Sequence, residues 1–258
     1  MKSIQRVISL GPKRALIWLR TRIGKKIAHL AHLPLWLAFK VRHTASPAID
    51  TLADDPRGRK EDRICEILAR IPGGKFLEVG IGEFPRAERF ALMRDMDISY
   101  VGCDFESVCK SHEVELALKE IDQTRIRFAP NSTGTYAWTL FEMLKSGEQY
   151  EVIYIDGHHT FYIDLPAILL ADRLLKPGGY LLLDDMQWTL SFLKANLKRS
   201  LSQWHFYRKI YNFSEYTEHQ QSVPHIRMIA EELFLKDSRY AKDESLSLKQ
   251  WWALQKAE

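Results

Sequence analysis

The sequence predicts an α/β fold, a mostly parallel sheet carrying helices on both of its faces. Three observations predict it. Short apolar runs alternate with longer helical patterns from residue 60 onward. The two most apolar runs, 152–155 and 180–183, flank one helical pattern, so strand, crossover helix and parallel strand form a βαβ unit. Runs so uniformly apolar belong in the middle of a sheet covered on both sides. Lastly, the runs stop at Gly80, Asp104, Asp156 and Asp184, marking the carboxyl edge where open α/β sheets bind ligands.

The first element of this body is a helix over 60–71, with Ile64, Ile67, Leu68 and Ile71 on one side and Pro72-Gly73-Gly74 ending it. A strand over 76–79 then enters the glycine turn Gly80-Ile81-Gly82 and a helix that Pro85 can start. Glycines here let the backbone pass close to a ligand at a helix amino end. A helix over 86–96 leads to a strand over 98–103 that stops at Asp104, 24 residues past Gly80. An acid there is placed to accept hydrogen bonds from both ribose hydroxyls of a nucleoside, with Glu106 in reserve. A helix over 107–119 and a strand over 126–129 follow. The polar turn Pro130-Asn131-Ser132 then places Asn131 and Ser132 where an adenine ring is met. A helix over 136–145 leads into the central unit. Beyond it come a helix over 188–201 and strands over 204–213 and 226–235, whose connecting loop SEYTEHQQSVPH overhangs the site. Trp251 and Trp252 serve packing or a subunit contact in a homodimer.

Three carboxylates, Asp156, Asp184 and Asp185, come from two neighbouring strand ends. They repel one another unless a cation or protons share the site. One strand-end acid commonly just caps a helix, but three, with His158 and His159 beside them, predict a functional site. His159 is the candidate base; His158 is as readily a core or supporting group.

At 258 residues, 46% of them hydrophobic, the chain can bury a full core in one domain with an extension. Cys65, Cys103 and Cys109 form no C-x-x-C pair, which predicts free buried thiols in a reducing, cytoplasmic compartment. The net charge of +4 hides an asymmetry. Residues 1–49 hold ten Lys or Arg and no acid, leaving 27 basic against 33 acidic residues beyond them. Residues 1–47 read as a basic amphipathic helical extension, 48–59 as a linker and 60–258 as the main domain. In the arm Leu16, Leu19, Ile23, Ile27 and Leu30 share one helical face, and Trp18 and Trp36 suit a membrane interface. Two readings stand level: residues 1–45 dock on an anionic membrane surface, or the same face packs on the domain's own sheet. An acid-free, Arg-rich start also resembles an organelle transit peptide. The continuous apolar face argues against nucleic acid as the partner.

Together these segments resemble a class I S-adenosylmethionine-dependent methyltransferase over roughly residues 60–235. The resemblance is carried by FLEVGIGEF, by VGCDFE and, most specifically, by IDGHH with LLKPGGYLLLDD. The last two are similar to the small-molecule O-methyltransferase pattern D-G-x-H, helix, L-x-P-G-G, D-D, seen in catechol-type and macrolide-sugar enzymes. Asp156 and Asp184 are 28 residues apart, as in that pattern. The resemblance implies a Rossmann-like class I methyltransferase fold, a mostly parallel seven-stranded sheet with helices on both faces. It implies S-adenosylmethionine at Glu78, Gly80, Gly82, Asp104, Asn131, Ser132 and Asp156. It implies Mg²⁺ at Asp156, Asp184 and Asp185, and His159 and Asp156 beside a small-molecule, sugar or glycolipid hydroxyl. Two departures stand out: Pro130-Asn131 where the family tends to have Gly-Asp, and Asp185 where the catechol enzymes have Asn.

Two other classes compete. A nicotinamide oxidoreductase on a related sheet is disfavoured, because Pro85 stands where the third glycine of G-x-G-x-x-G would be and no Tyr-Lys pair is evident. A membrane-docked, non-catalytic binding protein of the same fold is disfavoured by the intact acids.

Overall fold

The computed structural model describes residues 55–82, 87–131, 135–197 and 213–258. The basic arm, most of the linker, Pro85, Ser132 and nearly all of the strand expected over 204–213 lie outside the described residues. Two compact units contain the rest: 55–187 with 225–258, and 188–197 with 213–224. No helix among the described residues is long and apolar enough to cross a membrane.

The larger unit holds a seven-stranded sheet in the order β3-β2-β1-β4-β5-β7-β6. β1 (Lys75–Val79), β2 (Ser99–Phe105), β3 (Ile126–Asn131), β4 (Tyr150–Ile155) and β5 (Leu175–Leu183) run parallel. β7 (Trp252–Lys256) is antiparallel to β5 and to β6 (Tyr240–Lys242). This is the mostly parallel, Rossmann-like seven-stranded sheet that the sequence predicts. The strand order reverses between β1 and β4, and that switch point is where such sheets open a crevice.

Helices α1 (Lys60–Leu68), α2 (Ala87–Asp95) and α3 (Glu106–Leu118) cover one face through Ile64, Ile67, Phe90, Met93 and Leu116. α4 (Ala137–Lys145) and α5 (Phe161–Leu174) cover the other through Leu140, Met143, Ile168 and Leu174. The two-residue pleat divides each central strand between these layers. Val152, Tyr154, Tyr180 and Leu182 face α1, while Ile153, Ile155, Leu181 and Leu183 face α5. That alternation decides which strand-end acids can meet.

In the smaller unit, α6 (Leu190–Leu197) starts at Thr189, whose hydroxyl accepts the Phe192 N–H at 3.1 Å. The polar segment expected as a loop contains α7 (Glu218–Ser222), opened by a reciprocal capping box between Thr217 and Gln220. Gln221 of α7 accepts from Lys194 of α6 at 3.4 Å.

The strand expected over 226–235 is a helix instead. α8 (His225–Ile229) runs into a π-helical turn, Ala230–Phe234. Ile226, Ile229, Ala230 and Phe234 recur at helical spacing and bury together on the α5 face, so the period is helical and not two. Arg227 and Glu231 add an ion pair at 2.7 Å one turn apart. The antiparallel strands fall later, and they place Trp251 and Trp252 in opposite layers, as packing residues.

One backbone crossing fixes the switch point. Gly80 N–H donates to the Cys103 carbonyl, and Asp156 N–H to the Val79 carbonyl, each at 2.8 Å. Gly80 has φ +86°, and a Cβ there would overlap the Asp156 carbonyl oxygen. Gly82 also has positive φ, +67°, but open space around it. Gly80→Ala is therefore expected to cost at least about 3 kcal/mol in urea unfolding, left-handed backbone and overpacking together. Gly82→Ala is expected to cost only about 1–2 kcal/mol; equal losses would remove the steric argument.

Candidate active site

The carboxyl edge brings together most of the expected residues, but in two groups. The first lies over β1 and β2. Asp104 is buried at the end of β2. Its Oδ2 accepts the Gly82 N–H at 3.2 Å and its Oδ1 the Phe105 N–H at 2.6 Å. Burial pushes its pKa up to about 6, against those amide donors. With the Ile81 amide also donating, the glycine turn and the strand end fill part of the acceptor capacity of this carboxylate, and the remainder is open to a ligand hydroxyl. Asn131 ends β3 beside Phe105, buried, while Ser132 lies outside the described residues. His112 Nε2 holds the Gly82 carbonyl at 3.1 Å from α3.

Glu78, expected at the cofactor, is held by its neighbours through one oxygen. Its Oε2 lies 2.6 Å from Arg89 of α2 and accepts from Tyr100 Oη at 2.7 Å. Arg89, 3% exposed, also forks onto Glu61 of α1 at 2.8 and 2.7 Å. One guanidinium therefore clamps α1, α2 and β1 beneath the glycine turn, with each charge paired as burial demands.

The second group ends β4 and β5. Ile155 pairs with Leu183, so Asp156 and Asp184 follow as neighbours. The pleat points both to the α1 face, with Tyr154 two residues earlier. Tyr154 Oη lies 2.6 Å from Asp184 Oδ2 and 3.0 Å from Asp156 Oδ2. Lys60, the first residue of α1, sets its ammonium against both carboxylates, 3.2 Å from Asp156 Oδ2 and in direct contact with Asp184 Oδ2. Burial works against that charge, but Asp156 and Asp184 outweigh it and hold the Lys60 pKa above its ordinary value. Asp184 itself is raised, by burial first and by Asp156 second, with Lys60 and Tyr154 opposing. Lys60 was not among the expected site residues. Its signal was present: Lys60, Ile64, Ile67 and Leu68 share one helical stripe, so a lysine heads the face that docks on the sheet.

Asp185, one residue on, takes a different partner. Its Oδ2 meets His159 Nδ1 at 2.9 Å. Both partners have left-handed backbone, φ +61° at His159 and +56° at Asp185, a conformation that non-glycine residues rarely hold. Asp164 supports the bend by accepting the His158 N–H at 3.1 Å and the Thr160 N–H at 2.6 Å. Gly157 is required there, because a Cβ would lie 2.8 Å from Asp164 Oδ1. His158 is buried with Nδ1 3.0 Å from the Thr160 hydroxyl, a supporting position. Burial opposes charge on His159, yet Asp185 outweighs it and lifts the pKa to about 10. The Asp185 carboxylate thus favours the charged, hydrogen-bond-donating form of His159.

Of the three expected metal ligands, Asp156 and Asp185 come close to one another, and Asp184 meets Asp156 across the Lys60 ammonium. Ligand atoms of Asp156, His159 and Asp185 lie within 4.8 Å of one another, with His159 where Asp184 was expected. Magnesium favours oxygen ligands and retained waters. An imidazole already ion-paired to one acid, and an ammonium lodged between the other two, do not fit it.

The sign of the His159 shift sets a pH window. A raised folded-state pKa contributes stability in full below the unfolded value near 6.5, lost as pH rises through about 10. Asp185→Asn is expected to bring the His159 imidazole resonance, followed by NMR, down by at least about one pKa unit and to flatten that loss. An unchanged titration would dissolve the pair.

No family model and no curated protein matches the chain. Solved structures do. An O-methyltransferase from Bacillus cereus in complex with SAH is 14% identical over 81% of this chain and 86% of its own, with a TM-score of 0.48. A putative caffeoyl-CoA O-methyltransferase from Staphylococcus aureus is 14% identical over 91% and 100%, at 0.49. TomG from Streptomyces achromogenes, an O-methyltransferase in complex with SAM, is 12% identical over 87% and 96%, at 0.47. Identities this low leave the activity of the present chain to be read from its own residues.

Proposed function

We propose that this chain is an S-adenosylmethionine-dependent methyltransferase acting on the hydroxyl of a small molecule, sugar and glycolipid hydroxyls included. The observation that carries the reading is Asp104: a buried strand-end carboxylate, bonded to the glycine turn beside the switch point, with acceptor capacity left over. That is the chemistry a ribose diol needs. When bound, S-adenosylmethionine supplies an electrophilic methyl group for in-line transfer to the acceptor oxygen. The chain's part is alignment. Gly80 and Gly82 keep the turn free of side chains, and Asp104 fixes the ribose.

Asp156 belongs to the acceptor side. Its Oδ2 is engaged by Lys60 and Tyr154, whereas Oδ1 takes no hydrogen bond from the described residues. In this reading the hydroxyl proton passes to Asp156 Oδ1 as the acceptor oxygen gains its methyl group, and His159, paired with Asp185, stands beside it. The arm over residues 1–45 docks the enzyme on an anionic membrane in this reading, each basic residue contributing about 1 kcal/mol near the surface.

Calorimetry with S-adenosylhomocysteine tests the cofactor. Wild type is expected to bind, Asp104→Ala at least about tenfold more weakly, and wild-type affinity is expected to fall as pH drops through about 6, where Asp104 gains a proton. Absence of binding by both proteins would end the methyltransferase reading. Liposome sedimentation tests the arm: the full chain is expected to pellet with anionic lipid and a chain starting at residue 46 is not. Equal pelleting of both would refute docking through the arm.

A further inference from the structure

We propose that Lys60 is the resident cation of the acceptor site, taking the place that a divalent metal would hold between Asp156 and Asp184. The inference rests on the methyltransferase reading only for what the site does, not for what sits in it. Two observations carry it. The ammonium contacts both carboxylates at once, 3.2 Å from Asp156 Oδ2 and in direct contact with Asp184 Oδ2. The helix that delivers it is locked: Ile64, Ile67 and Leu68 of α1 are fully buried against the sheet, and Glu61 is forked by the buried Arg89. Lys60 therefore reaches the strand ends from a fixed platform, not from a surface loop.

The consequence is a difference in acceptor class. A metal with open positions chelates two vicinal oxygens. A lysine ammonium has three N–H donors. Two are directed at Asp156 and Asp184, which leaves one, on a side chain 38% exposed, to donate to a single acceptor oxygen. Lys60 thus positions one hydroxyl next to Asp156 and stabilises the negative charge that grows there as the proton leaves. The site favours lone hydroxyls over catechol-like diols and needs no added metal.

Mn²⁺ is the probe, because its binding is read by electron paramagnetic resonance with no substrate or turnover. Wild type is expected to show no saturable Mn²⁺ binding up to 1 mM, on the order of the weakest affinity that such a titration separates from background. Lys60→Met uncovers the two carboxylates and is expected to gain a Mn²⁺ site at least about tenfold tighter, lost again in Lys60→Met with Asp184→Asn. Lys60→Arg, which keeps the charge, is expected to stay as silent as wild type. Saturable Mn²⁺ binding by wild type that disappears in Asp184→Asn would overturn the proposal, and that result holds even if Lys60→Met does not fold. So would a folded Lys60→Met that gains nothing. S-adenosylhomocysteine binding, measured on the same proteins, reports separately on the methyltransferase reading.

Discussion

Two carboxylates side by side at neighbouring strand ends are the constraint around which this edge of the sheet is built. Strands lie about 4.8 Å apart. At an effective dielectric of 20, two unit charges at that spacing repel by roughly 3 kcal/mol. Asp156 and Asp184 cannot escape it, since the β4–β5 register makes them neighbours and the pleat turns them to one face. A positive charge must stand between them, and Lys60 does. Its position depends in turn on α1, held by its apolar stripe and by the Arg89 clamp on Glu61 and Glu78.

The same edge shows how backbone geometry is spent on function. Gly80 passes so close to the Asp156 carbonyl that the glycine turn and the acid ending β4 share one wall. A shift in one must move the other. His159 and Asp185 hold left-handed backbone to face each other, and Asp164 and Gly157 fix the bend that makes this possible. Non-glycine residues in that region cost of order 1–3 kcal/mol each, and such positions cluster where a structure is set up for binding or chemistry.

Most of the sheet was legible in the sequence, because β1 to β5 are short, apolar and bounded by glycines and acids. The strand ends were legible for the same reason. What failed did so for identifiable causes. Residues 226–235 carry aromatic and β-branched side chains, but their burial follows the helical period of Ile226, Ile229, Ala230 and Phe234. Asp184 and Asp185 are adjacent, and adjacent residues leave a strand toward opposite sides, so Asp184 meets Lys60 while Asp185 meets His159. Lys60 was missed as a long-range partner, 124 residues from Asp184, although its place at the head of a buried stripe was visible. Glu78 is expected at the cofactor from its place beside the glycine turn, and nothing in the local sequence announces the buried Arg89 that pairs with it one helix later.

In the proposed function a nucleoside sulfonium and a lysine-compensated acid pair share this carboxyl edge. A crystal structure of the protein grown with S-adenosylhomocysteine and excess Mn²⁺, with anomalous data at the manganese edge, tests it most directly. The expected result is the ribose on Asp104, the Lys60 ammonium between Asp156 and Asp184, and no anomalous peak among the three acids. A manganese peak at Asp156 and Asp184 with Lys60 swung away, or a nucleoside bound elsewhere, would contradict it.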